Sequence, residues 1–315
     1  MLYIVGHIKP DLDSAVAALA KEKLYRAVSC FDYKNAKAVL ASPANFESET
    51  IFAKFGADLP PVLNAKDIKP EDKFILVDHN EKDQRLQGIK DEQIVDIIDH
   101  HKVVLNLGMP IFITCKPWGS SATIIRYIME TCKFTPNKQL ASLMLCAILS
   151  DTVGLKSATT TQKDKTTTAE LAKIAGIKDI DGLVLAIFKA KSSLAGLSTR
   201  QVLTKDYKIM DLGGKKVLIN QVETVEQGQV TASAHVYLAE MEIIKSEMGL
   251  DYIYCAITDV LRINSVLLTT PAGEGIVQKA FPGGKKLKNG VYDIGPLLSR
   301  KKEIAPALES VISNR

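Results

Sequence analysis

The first half of the chain alternates short apolar runs with segments of helical periodicity. Apolar runs at Leu2–Val5, 74–77 and 94–98 have the length and composition of buried strands, and the runs at 111–114 and 103–105 are weaker. Apolar residues recur at helical spacing in 13–27, 122–132 and 140–149, and a serine of Gly119-Ser120-Ser121 can cap the second helix. Strands that alternate with helices predict an α/β fold with a mainly parallel sheet.

A change of composition near residue 190 divides the chain. Residues 188–196 form a short stretch of polar and small residues, which is typical of a linker. We therefore predict an N-terminal domain over 1–188, a linker over 189–196 and a smaller α/β domain over 197–315. In this second domain, 216–220 and 252–258 are predicted strands and 240–248 is a predicted helix. A length of 315 residues favours two domains.

Composition and charge narrow the class of protein. The chain is 46% hydrophobic and 24% charged, which is typical of a globular enzyme and excludes a disordered or fibrous chain. A net charge of +4 is too small to imply a nucleic-acid partner, and no apolar stretch approaches the roughly 20 residues that cross a bilayer. The N-terminus lacks the basic region of a signal peptide. The five cysteines are scattered without CxxC spacing, so we expect reduced thiols and a cytoplasmic location.

Four of the five histidines lie in three short motifs, and each motif follows a predicted strand. The motifs are His7-x3-Asp11-x-Asp13, Asp78-His79-Asn80 and Asp99-His100-His101. Ligands of open α/β sheets bind outside the carboxyl ends of the strands, so we expect the three motifs to converge on one crevice. A further acid, Asp151, ends the third predicted helix.

These residue types favour a site for two divalent metal ions. Carboxylates with a few imidazoles suit Mn²⁺, Co²⁺ or Mg²⁺, whereas a structural zinc site would more often recruit cysteine. Crowded aspartates repel one another by roughly 4 kcal/mol per pair at 4 Å and an effective dielectric near 20, and two divalent cations balance that charge. A single aspartate at a strand end is more often a turn or cap residue. The coincidence of the motifs is what predicts a metal site, whose shared water could attack a phosphorus atom.

A basic segment near the C-terminus, Ser299-Arg300-Lys301-Lys302, complements the acids. An arginine offers two parallel donors to phosphate oxygens and a lysine offers a point charge. Most charge runs are solvated surface, but beside an acidic metal site this segment favours phosphate binding. Lys285, Lys286 and Lys288 are predicted to be surface residues, and Gly213-Gly214 and Gly283-Gly284 are predicted turns.

The motifs resemble those of the DHH phosphoesterase superfamily, whose name is the triplet seen here at residues 99–101. The segment 151–157, the threonines at 159–161 and the basic segment narrow the resemblance to the family II, manganese-dependent inorganic pyrophosphatases. The resemblance extends from residue 2 to about 307. It implies an N-terminal DHH domain, a C-terminal DHHA2 domain and an active site in the cleft between them. It also implies two Mn²⁺ or Co²⁺ ions per subunit, Mg²⁺ with the pyrophosphate substrate, and a homodimer formed through the N-terminal domain.

The resemblance also implies residue roles. One ion would be held by four residues, His7, Asp11, Asp78 and Asp151, and the other by Asp13, Asp78, His100 and Asp151. The ions would be bridged by Asp78 and Asp151. His101 would face the substrate, and Asp99 would orient a histidine ligand. Beyond what the resemblance implies, His101 or a water held by a metal ion could assist proton transfer to the leaving phosphate. Pyrophosphate would be bound by Arg300, Lys301 and Lys208, with Lys205 as the alternative to Lys208.

The predicted reaction is hydrolysis of pyrophosphate to two phosphates. The nucleophile would be a hydroxide that bridges the two ions, and domain closure would bring Arg300 and Lys301 onto the substrate. Two alternatives stay open: an exopolyphosphatase of the DHHA2 type that acts on short polyphosphates, and a silent protein that binds metal or phosphate. The chain departs from the family at Glu303, where glutamine is usual, and at Gly295-Pro296, which leaves the shape of this loop open.

Overall fold

The computed structural model describes residues 1–28 and 33–314 and divides the chain into two compact units, Met1–Lys191 and Ser192–Arg315. We call them the N-terminal and the C-terminal unit. The division lies inside the segment predicted as a linker. Cys30 lies outside the described residues, and Cys115, Cys146 and Cys255 are free thiols.

The N-terminal unit is an α/β fold around a five-stranded parallel sheet. Its strands are β1 (Leu2–Val5), β2 (Lys37–Val39), β3 (Lys73–Val77), β4 (Ile94–Asp99) and β5 (Phe112–Cys115). Its helices are α1 (Leu12–Ala27), α2 (Phe46–Lys54), α3 (Ser121–Thr131), α4 (Lys138–Asp151), α5 (Gln162–Ala175) and α6 (Ile180–Lys191). The sheet order is β2-β1-β3-β4-β5, and every pairing is parallel. The predicted parallel sheet is therefore confirmed.

Burial explains why these segments adopt these structures. Residues 74–77 of β3 are fully buried, because a central parallel strand is covered by helices on both faces. Helix α4 is buried from Leu140 to Ser150, which confirms the predicted buried helix. Two helices begin beside the carboxyl ends of the strands: α1 is capped by the Asp11 carboxylate and α3 by the Ser120 hydroxyl, which confirms the predicted serine cap.

One predicted strand is wrong. Residues 103–105 are irregular, and the side chains of Val103 and Val104 are half exposed. The backbone N–H of Val104 donates to the side-chain oxygen of Asn80, so a loop contact takes the place of a sheet partner. Helix α6 also continues to Lys191, three residues into the segment predicted as a linker.

The C-terminal unit is built on a six-stranded mixed sheet. Its strands are β6 (Tyr207–Leu212), β7 (Lys215–Thr224), β8 (Tyr252–Asp259), β9 (Asn264–Thr269), β10 (Lys285–Lys288) and β11 (Val291–Gly295). Its helices are α7 (Thr199–Leu203), α8 (Gln227–Ala232), α9 (Ala234–Glu247), α10 (Pro271–Ala280) and α11 (Ala305–Ile312). The order is β10-β11-β9-β8-β7-β6, with β7 and β8 parallel and the other pairs antiparallel.

The apolar residues of this sheet pack on both faces. One buried cluster includes Leu218, Cys255 and Met241, and the other includes Val217, Tyr254 and Leu308. The strands predicted at 216–220 and 252–258 and the helix predicted at 240–248 are confirmed as parts of β7, β8 and α9. The lysines of β10 are exposed, and Gly213-Gly214 forms the turn between β6 and β7, both as predicted. Within the described part of the chain, no helix has the length and apolar character needed to cross a membrane.

Candidate metal centre

The strand order brings the three sequence motifs together. Strands β1, β3 and β4 are neighbours in the parallel sheet, so the residues that follow them lie together at the carboxyl ends of the strands. The ligand atoms of four residues lie within 4.8 Å of one another: Asp13, Asp78, His100 and Asp151. Two further groups meet the same limit, His7 with Asp11 and Asp78, and Asp78 with His100 and His101. The three groups share Asp78, so the seven predicted residues form one cluster, and six of them line a cavity of about 260 Å³.

Asp78 is the residue common to the three groups. Its carboxylate lies 3.4 Å from His7 Nε2 and 3.2 Å from His100 Nε2, and it accepts a 3.1 Å hydrogen bond from the Ser121 hydroxyl. Its φ is +62°, a left-handed conformation that is uncommon for a residue other than glycine. Its N–H donates to the Ile98 carbonyl, which holds the chain at this turn beside β4.

Asp13 is held by the start of helix α3. It is completely buried, and its two carboxylate oxygens accept hydrogen bonds from the Ser120 hydroxyl, the Ser121 N–H and the Ala122 N–H at 2.6, 2.6 and 3.0 Å. A helix N-terminus favours negative charge, because its first N–H groups lack partners within the helix. This arrangement fixes the orientation of the carboxylate.

The rings of His7 and His100 are oriented so that Nε2 of each faces the carboxylates. Nδ1 of His7 lies 2.8 Å from the Ile8 carbonyl, and Nδ1 of His100 lies 3.0 Å from the Trp118 carbonyl. A carbonyl partner requires a proton on Nδ1, so the neutral ring presents the Nε2 lone pair. That is the atom of each ring that faces the carboxylates.

The acids and histidines of this centre perturb the ionisation of one another. Burial and then the neighbouring Asp78 charge raise the pKa of Asp13 to about 7, and burial with the other acids raises the pKa of Asp151 well above its ordinary value. Burial opposes the charged form of His7, yet hydrogen bonds to Asp11 and Asp78 raise its pKa to about 11. Divalent cations would replace the protons that these groups hold. Buried carboxylates and imidazoles at this spacing fit ions such as Mn²⁺ and Co²⁺.

Asp99 lies against the ring of His101. Its buried carboxylate lies 2.9 Å from Nδ1 of His101 and accepts the backbone N–H groups of His100 and His101. Asn80 donates to its second oxygen at 2.5 Å. The imidazole beside Asp99 is thus that of His101, whereas the Trp118 carbonyl orients His100. Sequence reasoning did not find the roles of Trp118 or the α3 start, because a backbone group carries no residue signature.

His79 is a second residue that the sequence prediction left without a role. It is almost completely buried, it lines the same cavity, and its Nδ1 lies 2.9 Å from the Val77 carbonyl. The ring packs edge-on against His7, with 6.4 Å between centroids. Its position in the Asp78-His79-Asn80 motif was the available signal.

The basic segment of the C-terminal unit forms a π-helical turn, Arg300–Ile304. Arg300 donates to the carbonyl oxygen of Asp206 at 2.8 Å and to its carboxylate at 2.9 Å. Glu303 accepts the backbone N–H groups of Leu298 and Ser299 at 2.9 and 2.7 Å. A glutamine oxygen could accept the same two bonds, so Glu303 preserves the turn. Lys205, Lys208 and Lys301 are exposed.

Comparison with known proteins decides the family. A model described as the DHH family, N-terminal domain, matches residues 1–148, and one described as the DHHA2 domain matches 185–311. A manganese-dependent inorganic pyrophosphatase of Methanothrix thermoacetophila is 38% identical over 313 residues, which cover 98% of this chain and 97% of that relative. The chain belongs to the family II, manganese-dependent inorganic pyrophosphatases.

Other members of this pyrophosphatase family support the assignment. A manganese-dependent inorganic pyrophosphatase of Methanocaldococcus jannaschii is 36% identical over 318 residues and covers 98% of each chain. A crystal structure described as a candidate family II inorganic pyrophosphatase from Methanococcus jannaschii has 33% identity, a TM-score of 0.62 and 99% coverage of both chains. An exopolyphosphatase-related protein from Bacteroides fragilis shares only the fold, with 14% identity and a TM-score of 0.50. The predicted DHH and DHHA2 architecture is confirmed.

Proposed function

We propose that this protein hydrolyses inorganic pyrophosphate to two phosphates, with two Mn²⁺ or Co²⁺ ions per subunit and Mg²⁺ on the substrate. One observation carries the proposal. Three groups of carboxylates and imidazoles share Asp78, in a chain that belongs to the family II pyrophosphatases. Two ions bound there would supply a hydroxide at neutral pH by lowering the pKa of a shared water.

Each ion is proposed to have its own set of ligands. The first set is His7, Asp11, Asp78 and Asp151, and the second is Asp13, Asp78, His100 and Asp151. The second set coincides with the group of four whose ligand atoms lie within 4.8 Å, and three residues of the first set form a group of their own. Asp78 and Asp151 are the proposed bridging carboxylates. The 3.9 Å distance between Asp151 and His100 Nε2 supports the place of Asp151 in the second set.

His101 is proposed to bind the substrate and to pass a proton to the leaving phosphate. Its side chain is half exposed and lines the cavity, and Asp99 engages its Nδ1. The opposite ring nitrogen, Nε2, is thereby left for the substrate. General acid catalysis needs this combination of a fixed ring and an accessible nitrogen.

Arg300, Lys301 and Lys208 are proposed to bind pyrophosphate when the C-terminal unit closes over the metal site, with Lys205 as the alternative lysine. Two of the Arg300 donors already bind Asp206, which fixes the plane of the guanidinium group. A fixed guanidinium plane suits bidentate binding of phosphate oxygens. Closure would also exclude bulk water from the reaction.

A homodimer through the N-terminal unit is also proposed. Strand β5 lies at the edge of the parallel sheet, and two of its apolar side chains, Phe112 and Ile113, are 71% and 49% exposed. An exposed apolar edge strand is a ready site for pairing with a second chain. Phe112→Glu should convert the dimer to monomers in analytical ultracentrifugation. A wild-type monomer, or a variant that stays dimeric, would contradict this interface.

The free thiols of Cys115, Cys146 and Cys255 support the proposed cytoplasmic location, because such thiols persist in a reducing compartment.

The decisive experiment measures phosphate release from pyrophosphate and from tripolyphosphate in parallel. The purified protein is first analysed for bound metals, then stripped with a chelator and reloaded with Mn²⁺, Co²⁺, Zn²⁺ or Mg²⁺. We expect fast turnover of pyrophosphate with Mn²⁺ or Co²⁺, and loss of turnover after stripping. Slow turnover of pyrophosphate beside fast turnover of tripolyphosphate would favour the exopolyphosphatase instead. No turnover of either substrate, with metal bound, would favour a binding protein.

A further inference from the structure

Four of the five consecutive residues 118–122 contact three of the proposed metal ligands, and we call this segment the ligand cradle. The Trp118 carbonyl orients His100, and the Ser121 hydroxyl donates to Asp78. Ser120, Ser121 and Ala122 supply the three hydrogen bonds that hold Asp13. A displacement of the cradle would therefore move several ligands at once.

The centre of the cradle is fixed by a carboxylate from another helix. Asp164, in the first turn of α5, is completely buried and lies 45 residues from Gly119 in sequence. One of its oxygens accepts the Gly119 N–H at 2.9 Å, and the other accepts the Thr123 hydroxyl at 2.7 Å, just beyond the cradle. Burying a carboxylate costs free energy unless hydrogen-bond donors replace the lost water. These two donors to Asp164 lie at and just before the start of α3.

Only glycine allows this close approach. A Cβ at residue 119 would stand 3.0 Å from an Asp164 carboxylate oxygen and 2.5 Å from Cγ2 of Thr152. Neither neighbour lies at the end of a long flexible side chain in open space. Any side chain at residue 119 would therefore force the cradle, Thr152 or Asp164 to shift and would disturb the contact with Asp164.

A simpler explanation is that Asp164 only caps its own helix. Thr161 and Asp164 form a capping box, in which Asp164 accepts the Thr161 N–H at 2.8 Å and its hydroxyl at 2.6 Å. Helix capping explains these two bonds. It does not explain the bonds to Gly119 and Thr123, which join α5 to the start of α3.

We propose that Asp164 is a positioning residue that fixes the ligand cradle, and through it Asp13 and His100, for binding of divalent metal ions. This inference rests on the metal site of the proposed function. Asp164 does not contact the ions or the substrate in this scheme. Its hydrogen bond from the Gly119 N–H holds the cradle in place, and the cradle in turn fixes the positions of the ligands.

The test compares the two halves of the capping box. Asp164→Ala removes both the cap and the cradle contact, whereas Thr161→Ala weakens the cap and leaves Asp164 beside Gly119. We expect Asp164→Ala to weaken Mn²⁺ binding about tenfold or more in calorimetric titration, as loss of an outer partner does in other metal sites. Thr161→Ala should lower the melting temperature of the metal-free protein and leave the Mn²⁺ Kd within about twofold. Asp164→Asn should restore most of the affinity, because its amide oxygen can accept the Gly119 N–H while its NH₂ donates to Thr123.

A second variant tests the contact from the other side. Gly119→Ala should also weaken Mn²⁺ binding, and the double variant with Asp164→Ala should be little weaker than either single variant, because both break one contact. If Asp164→Ala does not fold, unchanged Mn²⁺ affinity in Gly119→Ala overturns the inference. Wild-type affinity in Asp164→Ala, or equal losses in Asp164→Ala and Thr161→Ala, also overturns it. A wild-type protein that binds no Mn²⁺ would instead refute the proposed function itself.

Discussion

Replacing Asp78 by asparagine is the most direct test of the metal centre. Asp78 belongs to all three groups of candidate ligands, and its left-handed backbone is one that asparagine adopts more readily than most residues. Asp78→Asn should therefore keep the fold and remove a charged ligand. Loss of an outer partner weakens metal sites by roughly 10–100-fold, so we expect loss of this shared ligand to weaken Mn²⁺ binding by at least about 100-fold.

This loss of affinity translates into a stability difference. At a Mn²⁺ concentration of about 100 times the wild-type Kd, binding stabilises the wild-type protein by ~2.7 kcal/mol. A variant with a Kd ~100-fold higher gains only ~0.4 kcal/mol at the same concentration. For a unit the size of Met1–Lys191, the difference of ~2.3 kcal/mol corresponds to a Tm shift that is ~5–9 °C smaller.

Calorimetric melting with and without Mn²⁺ measures this shift, and phosphate release from pyrophosphate measures the accompanying loss of turnover. Asp91→Asn is the matched control, because the Asp91 carboxylate bonds Arg85 at 2.6 Å and lies outside the three ligand groups. The control should keep the full Mn²⁺-dependent shift. A full shift together with full turnover in Asp78→Asn would refute the proposed bridging role.

Two further predictions concern the C-terminal unit. Arg300→Ala should raise the KM for pyrophosphate by about tenfold or more and leave the Mn²⁺ Kd unchanged, because hydrogen bonds to charged groups contribute ~1.5–3 kcal/mol; steady-state kinetics with KM and kcat both unchanged would contradict the assignment. The hydrogen bond from Lys286, and then that from Tyr292, lowers the pKa of Glu274 below its ordinary value of 4.5. The ionised Glu274 therefore stabilises the folded protein fully above pH 4.5, and this contribution is lost as the pH falls through the lower pKa of the folded state. Urea unfolding between pH 6 and 3 should show an extra loss of stability in the wild type compared with Glu274→Gln, and identical slopes would argue against this pair.

The sequence predicted the fold best where burial dictates the residue types. Strand β3 and helix α4 are buried along nearly their whole length, so their apolar runs are continuous. Strand β2 has only three residues, too few to show a pattern. Helix α5 is rich in lysine and threonine, and its apolar stripe is too sparse to stand out. The capping box at Thr161 was the available start signal for that helix.

The ligand side chains of the site could be predicted from the sequence, because their residue types indicate metal binding. Acids and histidines that follow neighbouring parallel strands lie at the same end of the sheet, and this rule predicted that His7, Asp78 and His100 would lie close together. The contacts that hold these ligands in place could not be predicted in the same way. The Trp118 carbonyl acts through the backbone, so residue identity gives no indication of it. The Gly119 N–H also acts through the backbone, and the sequence shows only that residue 119 is a glycine, not which group approaches it. The link to Asp164 also spans 45 residues, beyond the reach of any local pattern.

Backbone strain is concentrated around the proposed ligands. Of six residues other than glycine with positive φ among those described, four lie at or near the ligand motifs: Lys9, Asp78, Val153 and Leu155. Such conformations cost of order 1–3 kcal/mol each, and a β-branched residue such as Val153 is an outlier in this region. Strain of this kind persists only where the surrounding structure leaves the chain no alternative, and here the buried sheet and α4 provide that constraint. The fold therefore holds the carboxylates close together against both strain and mutual repulsion, and divalent cations would relieve the repulsion.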